Sequence, residues 1–508
     1  MKNLIEISKI VTKKKVKKIE IFDDHSLKHK NSKFNEFYEA LMSNKFRNDR
    51  DAASLLYQCS PTDDKYRQLK SRFRKRLLNT LFFLDVNLPA TSNYDRAYFS
   101  CNKDWTLVKI LLSNTANFTA VSLARQILTT ALKFKFADVI VNCSRILRRS
   151  AAADGDEKKY ETYDGYIKEY QNILDAEIRS EELYQRVIMN YYQPKAKITL
   201  LKDKMDEYCN ALVGLSEIYE SPIVLYNMYL VWVYRYEMVQ DYDAVLEICN
   251  RAEKYIEDNP RYYQDDKLST FQLKKMAAYL HLRDWKNGKS NAEKCLQSFP
   301  TGSEVWFNFM EYYILLAIHT DNYINALAVY NDATGNSKFK KLSNNIKEKW
   351  KIYDVYLNYI IESKGETNPV LLTQRRKPLK TAQFIKDPLL YVKEQRIFTV
   401  LMVVGQLLFI LEKKNYSAAS EKIDRLKTYA NRQLKKEEYH RTIQFIRLLQ
   451  QLAKAEYDVE QLSNTEKYYN RLLERPFYYR GMIQELEVIP YEKLWNMILV
   501  RVGGEMMA

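Results

Sequence analysis

Residues 271–300 read FQLKKMAAYLHLRDWKNGKSNAEKCLQSFP. Asp284 and Trp285 interrupt this stretch near its middle, and the small residue Gly288 follows the tryptophan closely. We expect the aspartate to end one helix and to cap the next, because its side chain can accept a hydrogen bond from a free backbone N–H. The tryptophan then fills the corner, and the glycine lets the second helix approach its neighbour closely. The stretch therefore predicts a helical hairpin.

The same pattern recurs along the chain. The aromatic residue returns 43 residues after Tyr242 and again after a further 38. A period of this length is typical of stacked helical hairpins. Each further copy has an Asn or Asp, then an aromatic residue, then a small residue: Asn117-Phe118 with Ala120, Asp241-Tyr242 with Ala244, Asn322-Tyr323 with Ala326, and Asn415-Tyr416 with Ala419.

Turn-forming residues are scarce. The chain has 508 residues but only 11 glycines and 11 prolines. An average protein has about 7% glycine and about 5% proline, so this chain holds under half of the usual supply. A sheet protein of this length would need many Gly, Asn-Gly or Asp-Gly turns. The sequence therefore predicts an all-α fold, and its length favours a one-dimensional stack of helices over a single core.

Tyr279, Gly288 and Pro300 match the helix-A tyrosine, the small helix-B residue and the closing proline of the tetratricopeptide repeat. Residues 104–475 resemble this family, which implies an α-α superhelix, a TPR-like solenoid with a groove for a protein or peptide partner. The chain departs from the family in helix A, so the helices of a pair must lie farther apart or cross at another angle. Large residues replace the family's small helix-A residue there: Trp232, Met276, Ile314 and Leu407.

These patterns divide the chain into four regions. We expect a basic N-terminal segment at 1–33, a helix-turn-helix-like helical subdomain at 34–85, the TPR-like solenoid at 86–475 and an atypical C-terminal cap at 476–508. The last region breaks the repeat, and a terminal unit of a stack must cover an exposed apolar face. Helices are expected, among others, near 34–44, 48–58, 62–85, 104–114 and 156–190.

The most apolar run extends from Ile397 to Leu411. It is shorter than the roughly 20 residues needed to cross a bilayer, so it predicts a buried helix and no membrane span. The six cysteines form no CxxC pair, which favours reduced core residues over disulfides or a zinc site. The N-terminus has no uninterrupted apolar core before its lysines, so a cytoplasmic location is expected.

The positive charge is uneven. The formal net charge is +16. Residues 1–33 hold ten Lys or Arg against four acids, and residues 65–76 hold seven against none. Such a basic region attracts nucleic acid, an acidic partner or an anionic membrane surface. Lysine-rich tails are also often only solubilising.

Residues 49–77 resemble a helix-turn-helix, although Tyr57 or Gln58 replaces the usual turn glycine. An apolar stripe at helical spacing predicts the buried side of the second helix: Tyr66, Leu69, Phe73 and Leu77. The basic residues fall away from that stripe, where they could meet phosphates, base edges or an acidic partner. They are Lys65, Arg67, Lys70, Arg72, Arg74 and Arg76. The alternative is a basic helix that docks on the first repeat of the solenoid.

Aromatic residues are frequent in the predicted first helices of the hairpins. Tyrosine and tryptophan suit a groove that binds a peptide, because they offer large rigid contact areas. Aromatic residues at the same spacing also pack helix pairs together. The alternative for each of these aromatic residues is therefore a place in the core. The groove candidates are Tyr226, Tyr229, Trp306, Phe309, Tyr313, Trp350, Tyr353 and Tyr356.

Sequence signatures of enzymes are missing. The chain has no GxxxxGK[ST], GxGxxG, HExxH or GxSxG motif. We therefore expect no catalytic, cofactor-binding or metal-binding residues and no small-molecule cofactor. The leading hypothesis is a non-enzymatic interaction scaffold or adaptor that binds a protein or peptide partner in its helical-repeat groove. The alternative is a DNA-binding transcriptional regulator that uses the basic N-terminal helices, with the repeats as a sensor.

Overall fold

The protein is all-α. The structure, a computed structural model, describes residue 4 and residues 33–43, 45–46, 48–81, 92–192, 202–297, 299–364, 379–386, 396–434 and 438–503. Of these residues, 82% are helical and none lies in a strand. The fold class predicted from the shortage of glycine and proline is therefore confirmed. Nearly all of the basic segment 1–33 lies outside the described residues.

The chain forms two compact units. Unit 1 comprises Met1–Leu174 and Arg261–Gln264, and unit 2 comprises Asp175–Pro260 and Asp265–Ala508. The long helix α7 begins in unit 1 and ends in unit 2. The helices up to this point are α1 (Lys33–Met42), α2 (Asp49–Tyr57), α3 (Asp64–Leu81), α4 (Asn93–Ser113), α5 (Asn117–Phe134), α6 (Ala137–Ala153) and α7 (Glu157–Tyr191).

Unit 2 contains the remaining described α-helices. Most of them pack against the helix that follows in the sequence. They are α8 (Lys202–Ile218), α9 (Pro222–Val239), α10 (Tyr242–Asp258), α11 (Asp265–Leu282), α12 (Trp285–Leu296), α13 (Glu304–His319), α14 (Tyr323–Gly335), α15 (Asn344–Lys364), α16 (Thr381–Lys386), α17 (Arg396–Glu412), α18 (Tyr416–Gln433), α19 (His440–Lys454), α20 (Thr465–Leu473) and α21 (Tyr491–Val502).

Helices α1 to α3 share a small apolar core. Phe37 of α1 packs its ring against Tyr66 and Phe73 of α3, with ring centroids 6.4 and 4.6 Å apart. Leu69 and Leu77 complete the buried side of α3. The stripe predicted from helical spacing is therefore confirmed, and it fixes which side of α3 remains available to a partner.

Helices α4 to α6 and the first half of α7 form a second core in unit 1. Helix α4 begins well before the expected start near residue 104. Ser92 caps it, because its hydroxyl accepts a hydrogen bond from the backbone N–H of Asp95 at 3.1 Å. The Asp95 carboxylate in turn lies 3.0 Å from that hydroxyl. A short polar residue three positions before an acid is a helix-start signal, and the sequence prediction overlooked it.

Four hairpin corners turn without glycine. At each of them a non-glycine residue adopts φ between 53° and 62°, in the left-handed region that favours glycine. This backbone strain allows tight corners in a chain with only 11 glycines. The four residues are Gln240, Arg283, Asp321 and Lys414.

The predicted caps form at three of these corners. The side chains of Asp241, Asp284 and Asn415 accept hydrogen bonds from backbone N–H groups in the first turns of α10, α12 and α18, at 3.1 to 3.2 Å. Asn322 occupies the same position before α14, but its side chain makes no such bond.

The first predicted corner differs. There Thr115 adopts the left-handed conformation, Ala116 takes the N-cap position, and Asn117 is already the first residue of α5. Phe118 is consequently 89% exposed. The prediction that this aromatic residue fills the corner was wrong, because the backbone turns earlier than the Asn-Phe pair implied.

Helix α17 contains the most apolar run and is buried along almost its whole length. Its one buried amide, Gln406, donates to the backbone oxygen of Phe384 at 2.6 Å and accepts from Lys422 Nζ at 2.5 Å. The prediction of a buried helix is confirmed. None of the helices in the described part of the chain has the length and apolar composition needed to cross a membrane.

All six cysteines are free, and five of them are buried. Burial raises the pKa of the Cys101 thiol to about 11 and that of the Cys143 thiol to about 12. These two thiols therefore remain protonated near neutral pH and behave as small apolar groups. The prediction of reduced cysteines in the core is confirmed for all but Cys59, which is half-buried.

The segment from Phe477 to Glu487, named here the C-terminal strap, crosses unit 2 without forming an α-helix. The backbone N–H of Tyr479 donates to Nε2 of His281 in α11 at 3.0 Å. Nε2 of His319 in α13 donates to the backbone oxygen of Glu487 at 2.9 Å. The strap therefore contacts helices that precede it by well over a hundred residues.

Candidate nucleic-acid interface

The exposed side of α3 is positively charged. We name it the α3 basic face, and it has no Asp or Glu from residue 65 to the end of the helix. Five exposed cations define it: Lys65, Arg67, Arg72, Arg74 and Lys75. Four of them belong to the predicted patch.

Polar side chains extend this face. Lys65, Gln68, Arg72, Lys75 and Asn79 recur every three or four positions, and all of them are exposed. Residues at this spacing lie on one side of a helix. The α3 basic face therefore presents cations together with amide groups that can both donate and accept hydrogen bonds.

The other two residues of the predicted patch have structural contacts. Lys70 Nζ lies 2.6 Å from Oδ1 of Asp49 in α2, and the Tyr66 hydroxyl donates to the same oxygen at 2.7 Å. Arg76 is half-buried, with its guanidinium 4.8 Å from the centre of the Phe34 ring in α1. Lys70 and Arg76 therefore help to hold the three helices together.

This contact sets the charge state of Asp49. Partial burial alone would raise the pKa of its carboxyl group. The hydrogen bonds from Lys70 and Tyr66, together with the charge of Lys70, outweigh that effect and hold the pKa below its usual value. The carboxylate consequently stays ionised and keeps α2 bound to α3 across the neutral pH range.

The turn between α2 and α3 sets how these two helices lie relative to each other. Gln58 ends α2 in the left-handed conformation at φ 51°, in place of the glycine that a helix-turn-helix usually has. The hydroxyls of Ser60 and Thr62 lie 2.9 Å apart. Asp63 then accepts from the backbone N–H of Lys65 at 2.9 Å, at the start of α3.

The predicted aromatic groove is not an open surface in this structure. Six of its eight residues are buried, each at 6% exposure or less. They lie in α13 and α15, helices that are apolar around most of their circumference and pack on several sides. Packing, the alternative for these side chains, describes them correctly: Trp306, Phe309, Tyr313, Trp350, Tyr353 and Tyr356.

The remaining two groove candidates are half-buried. Tyr226 and Tyr229 of α9 both meet Phe271 of α11 edge to face, at 5.6 and 6.5 Å between ring centroids. Lys267 lies over the Tyr226 ring at 4.5 Å. The structure therefore does not bring the eight candidates together on one accessible face.

The sequence reasoning missed a second cationic surface, in unit 1. It lies between α4, α6 and the start of α7, and it joins Lys109 of α4 to three arginines of α6. One signal was present: Arg145, Arg148 and Arg149 cluster on a single helix. We name this surface the basic groove. No group of three or more potential metal ligands occurs among the residues that the structure describes.

Comparison of the chain with protein-family models, with curated proteins and with solved structures found no match. The resemblance to the tetratricopeptide repeat therefore stays a prediction.

Proposed function

We propose that the protein is a non-catalytic binding protein that binds duplex DNA through α3. The observation that carries this proposal is the α3 basic face, an exposed helix side with five cations and no acidic residue after Asp64, whose carboxylate lies 3.5 Å from the Arg67 guanidinium in the first turn. A surface of uncharged polar residues, or one with alternating positive and negative charges, would keep the protein soluble equally well. A positive face from Lys65 to Lys75 on a well-packed helix instead favours an anionic partner.

The dimensions of α3 suit the major groove. The helix has 18 residues, a length of about 27 Å at the usual rise per residue. The major groove of B-DNA is about 12 Å wide and admits one α-helix. The buried stripe of α3 faces α1, so the opposite side is the one that a duplex would meet.

The side chains of this face can take both roles that DNA binding requires. Lys65, Arg67, Arg74 and Lys75 would neutralise phosphates, which gives affinity without sequence preference. Arg72 and Gln68 are types that contact guanine and adenine edges. Lys70 and Arg76 are given no role at DNA, because they hold α3 to α2 and α1.

The interaction scaffold, the leading hypothesis from the sequence, stays a prediction. Its main candidate residues are buried in unit 2. An acidic protein would meet the same α3 basic face by the same electrostatics, so the experiment must distinguish it from DNA.

Fluorescence anisotropy with a labelled duplex tests the proposal, at about 50 and about 150 mM salt. The wild type should bind at both concentrations and should prefer some sequences over others. The R72E/R74E variant should lose most of the affinity, and the slope of log K against log salt should flatten by about 0.9 for each lost phosphate contact. The reversal R425E/K427E in α18 has the same charge change on another exposed surface and should bind as the wild type does.

Weak binding that disappears by about 150 mM salt would contradict the proposal, because nonspecific attraction behaves in this way. Equal losses in both charge-reversal variants would also contradict it, since net charge alone would then explain the effect. A Glu-rich peptide that displaces the duplex at equal concentration would assign the α3 basic face to an acidic protein.

A further inference from the structure

The basic groove of unit 1 is a concave site of about 680 Å³. Helix α4 forms one wall, α6 the other, and Tyr160 of α7 closes one part. Ligand sites in proteins commonly have volumes of about 300–1,000 Å³. The lining residues are Trp105, Lys109, Leu112, Asn142, Arg145, Ile146, Arg148, Arg149, Ala152 and Tyr160.

The lining has four cations and no acid. Arg148 is paired with Asp164 of α7, which lies just outside the lining and also accepts from Lys168 at 2.7 Å. Lys109, Arg145 and Arg149 make no ion pair with any residue that the structure describes. Three uncompensated positive charges therefore face one concavity.

Such an arrangement attracts a ligand with several negative charges. Like charges in a concave surface repel one another, and the concavity concentrates the positive potential. Arg145 and Arg149 are one helical turn apart and thus neighbours on α6. Each guanidinium can form paired hydrogen bonds with one phosphate or carboxylate group.

The groove also has flat and apolar surfaces. Trp105 is half-buried, with Lys109 Nζ 5.4 Å from the centre of its ring. Tyr160 lies beside Arg148, whose guanidinium is 5.9 Å from the ring centre. Leu112, Ile146 and Ala152 add apolar area to the lining. A ligand that fits the whole groove has a flat aromatic part as well as its charges.

We propose that the basic groove binds a nucleotide, with the base against Trp105 and the phosphates on Lys109, Arg145 and Arg149. Base-on-aromatic stacking and cation-phosphate contacts are the two interactions that bind unpaired nucleotides without reading their sequence. A free nucleoside triphosphate and a single nucleic-acid strand share this chemistry. An acidic peptide would satisfy the cations but would leave the aromatic surface without a flat partner.

Tryptophan fluorescence titrations of the full-length chain test this site, with ATP, inorganic tripolyphosphate and a short oligothymidylate as probes. ATP should bind more tightly than tripolyphosphate, because only ATP has a base to stack. The R145E/R149E variant should weaken ATP binding by about tenfold or more, since it removes two charged contacts. The R72E/R74E variant changes the charge of α3 equally and should leave ATP binding unchanged.

The W105L variant separates stacking from charge while it keeps an apolar side chain in the half-buried position. It should weaken ATP binding by about tenfold, as expected from loss of base stacking, and leave tripolyphosphate binding unchanged. Because this variant removes the local reporter, its affinities come from calorimetry. Unchanged far-UV circular dichroism shows that both groove variants keep their helices.

The two sources of nucleotide are distinguished by competition. Oligothymidylate that displaces ATP and binds more tightly assigns the groove to a single strand, and the reverse order assigns it to a free nucleotide. Both results support the proposal. Equal ATP affinity in wild type and R145E/R149E, equal affinities for ATP and tripolyphosphate, or tighter binding of a Glu-rich peptide than of both nucleotide probes would each overturn it.

This inference is independent of duplex binding by α3. If R145E/R149E and W105L lose ATP affinity while R72E/R74E binds duplex DNA as the wild type does, the proposed function fails and the groove proposal stands. If R72E/R74E loses duplex DNA while R145E/R149E and W105L bind ATP as the wild type does, the groove proposal fails and the proposed function stands.

Discussion

Lys70 Nζ lies 2.6 Å from a carboxylate oxygen of Asp49, across the junction between α3 and α2. The sequence pattern predicted that Lys70 is one of six cations available to a partner. The structure instead shows that the lysine and the Tyr66 hydroxyl share one oxygen of Asp49. Charge reversal at Lys70 should therefore damage the fold, whereas reversal at its exposed neighbours should not.

The first prediction concerns this contact. The K70E variant should lower the local unfolding free energy of α2 and α3 by about 1–2 kcal/mol, because it loses a charge-assisted hydrogen bond and places two carboxylates together. Hydrogen exchange of peptides from residues 49–81 measures this change. The R72E variant is the matched control, since Arg72 is exposed and bonds only to Gln68 among the partners seen, at 3.3 Å. Equal protection in K70E and wild type would show that the contact contributes nothing.

The second prediction compares two helical glycines of unit 2. A Cβ atom at Gly405 of α17 would lie 2.6 Å from Cγ1 of the buried Val355, whereas one at Gly214 of α8 would meet nothing within 4 Å. G405A should therefore destabilise unit 2 by about 1–3 kcal/mol through overpacking. G214A should stabilise it by up to about 1 kcal/mol through helix propensity.

A W105F background makes this measurement specific. Of the six tryptophans, Trp105 alone lies in unit 1, so the fluorescence of the variant reports the urea unfolding of unit 2. If G405A were as stable as G214A, the close contact of α17 with α15 would not constrain the packing.

Much of the fold could be predicted because it depends on local signals. The side of α3 that is buried follows from the spacing of Tyr66, Leu69, Phe73 and Leu77, and the caps at Asp241 and Asp284 follow from side-chain chemistry. Which residue takes the left-handed conformation at a corner does not follow, because Gln240 or Thr115 carries no signal for it. Because the left-handed residue could not be predicted, the exposed position of Phe118 was missed.

The candidate sites show the same limit. Exposure of Arg72 and Arg74 could be read from one helix, since their positions relative to the apolar stripe are fixed by its period. The aromatic residues of α13 could not be separated into core and surface, because the spacing serves both uses. The basic groove joins Lys109 to Arg145 across two helices, and only tertiary packing brings such residues together.

The third prediction concerns the buried anchor of the C-terminal strap. Lys349 Nζ lies 2.8 Å from both carboxylate oxygens of Glu311, and the Tyr479 hydroxyl donates to one of them. K349M should destabilise unit 2 by about 3–5 kcal/mol, because it leaves a buried carboxylate without its counter-charge. Y479F should cost only about 1–2 kcal/mol, since the ion pair remains.

Urea unfolding in the W105F background measures both changes. The double variant E311L/K349M serves as the control, because replacing both charges by apolar side chains removes the unpaired carboxylate and should recover most of the stability. A larger loss in Y479F than in K349M would reverse the order and contradict this account of the anchor.

The last prediction concerns pH and rests on His319 of α13. The ring is 4% exposed, and burial lowers its pKa from 6.5 to about 3. Hydrogen bonding to the Glu487 backbone oxygen and the charge of Glu492 oppose this shift, while Arg283 and Lys493 add to it. The folded protein therefore keeps His319 neutral in a range where the unfolded chain binds a proton.

Because the unfolded state binds more protons between these two pKa values, stability must fall as the pH falls below 6.5, by about 1.4 kcal/mol per pH unit for this one group. Between pH 7.5 and 5.0 the loss from His319 should reach about 2 kcal/mol. H319Q keeps an N–H donor for Glu487 but does not titrate. Between pH 7.5 and 5.0 its unfolding free energy should therefore fall by about 2 kcal/mol less than that of the wild type. Urea unfolding of both proteins in the W105F background, at the two pH values, measures the difference, and other titrating groups cancel in it. Parallel pH dependence in wild type and H319Q would show that His319 is not the buried neutral group that joins α13 to the C-terminal strap.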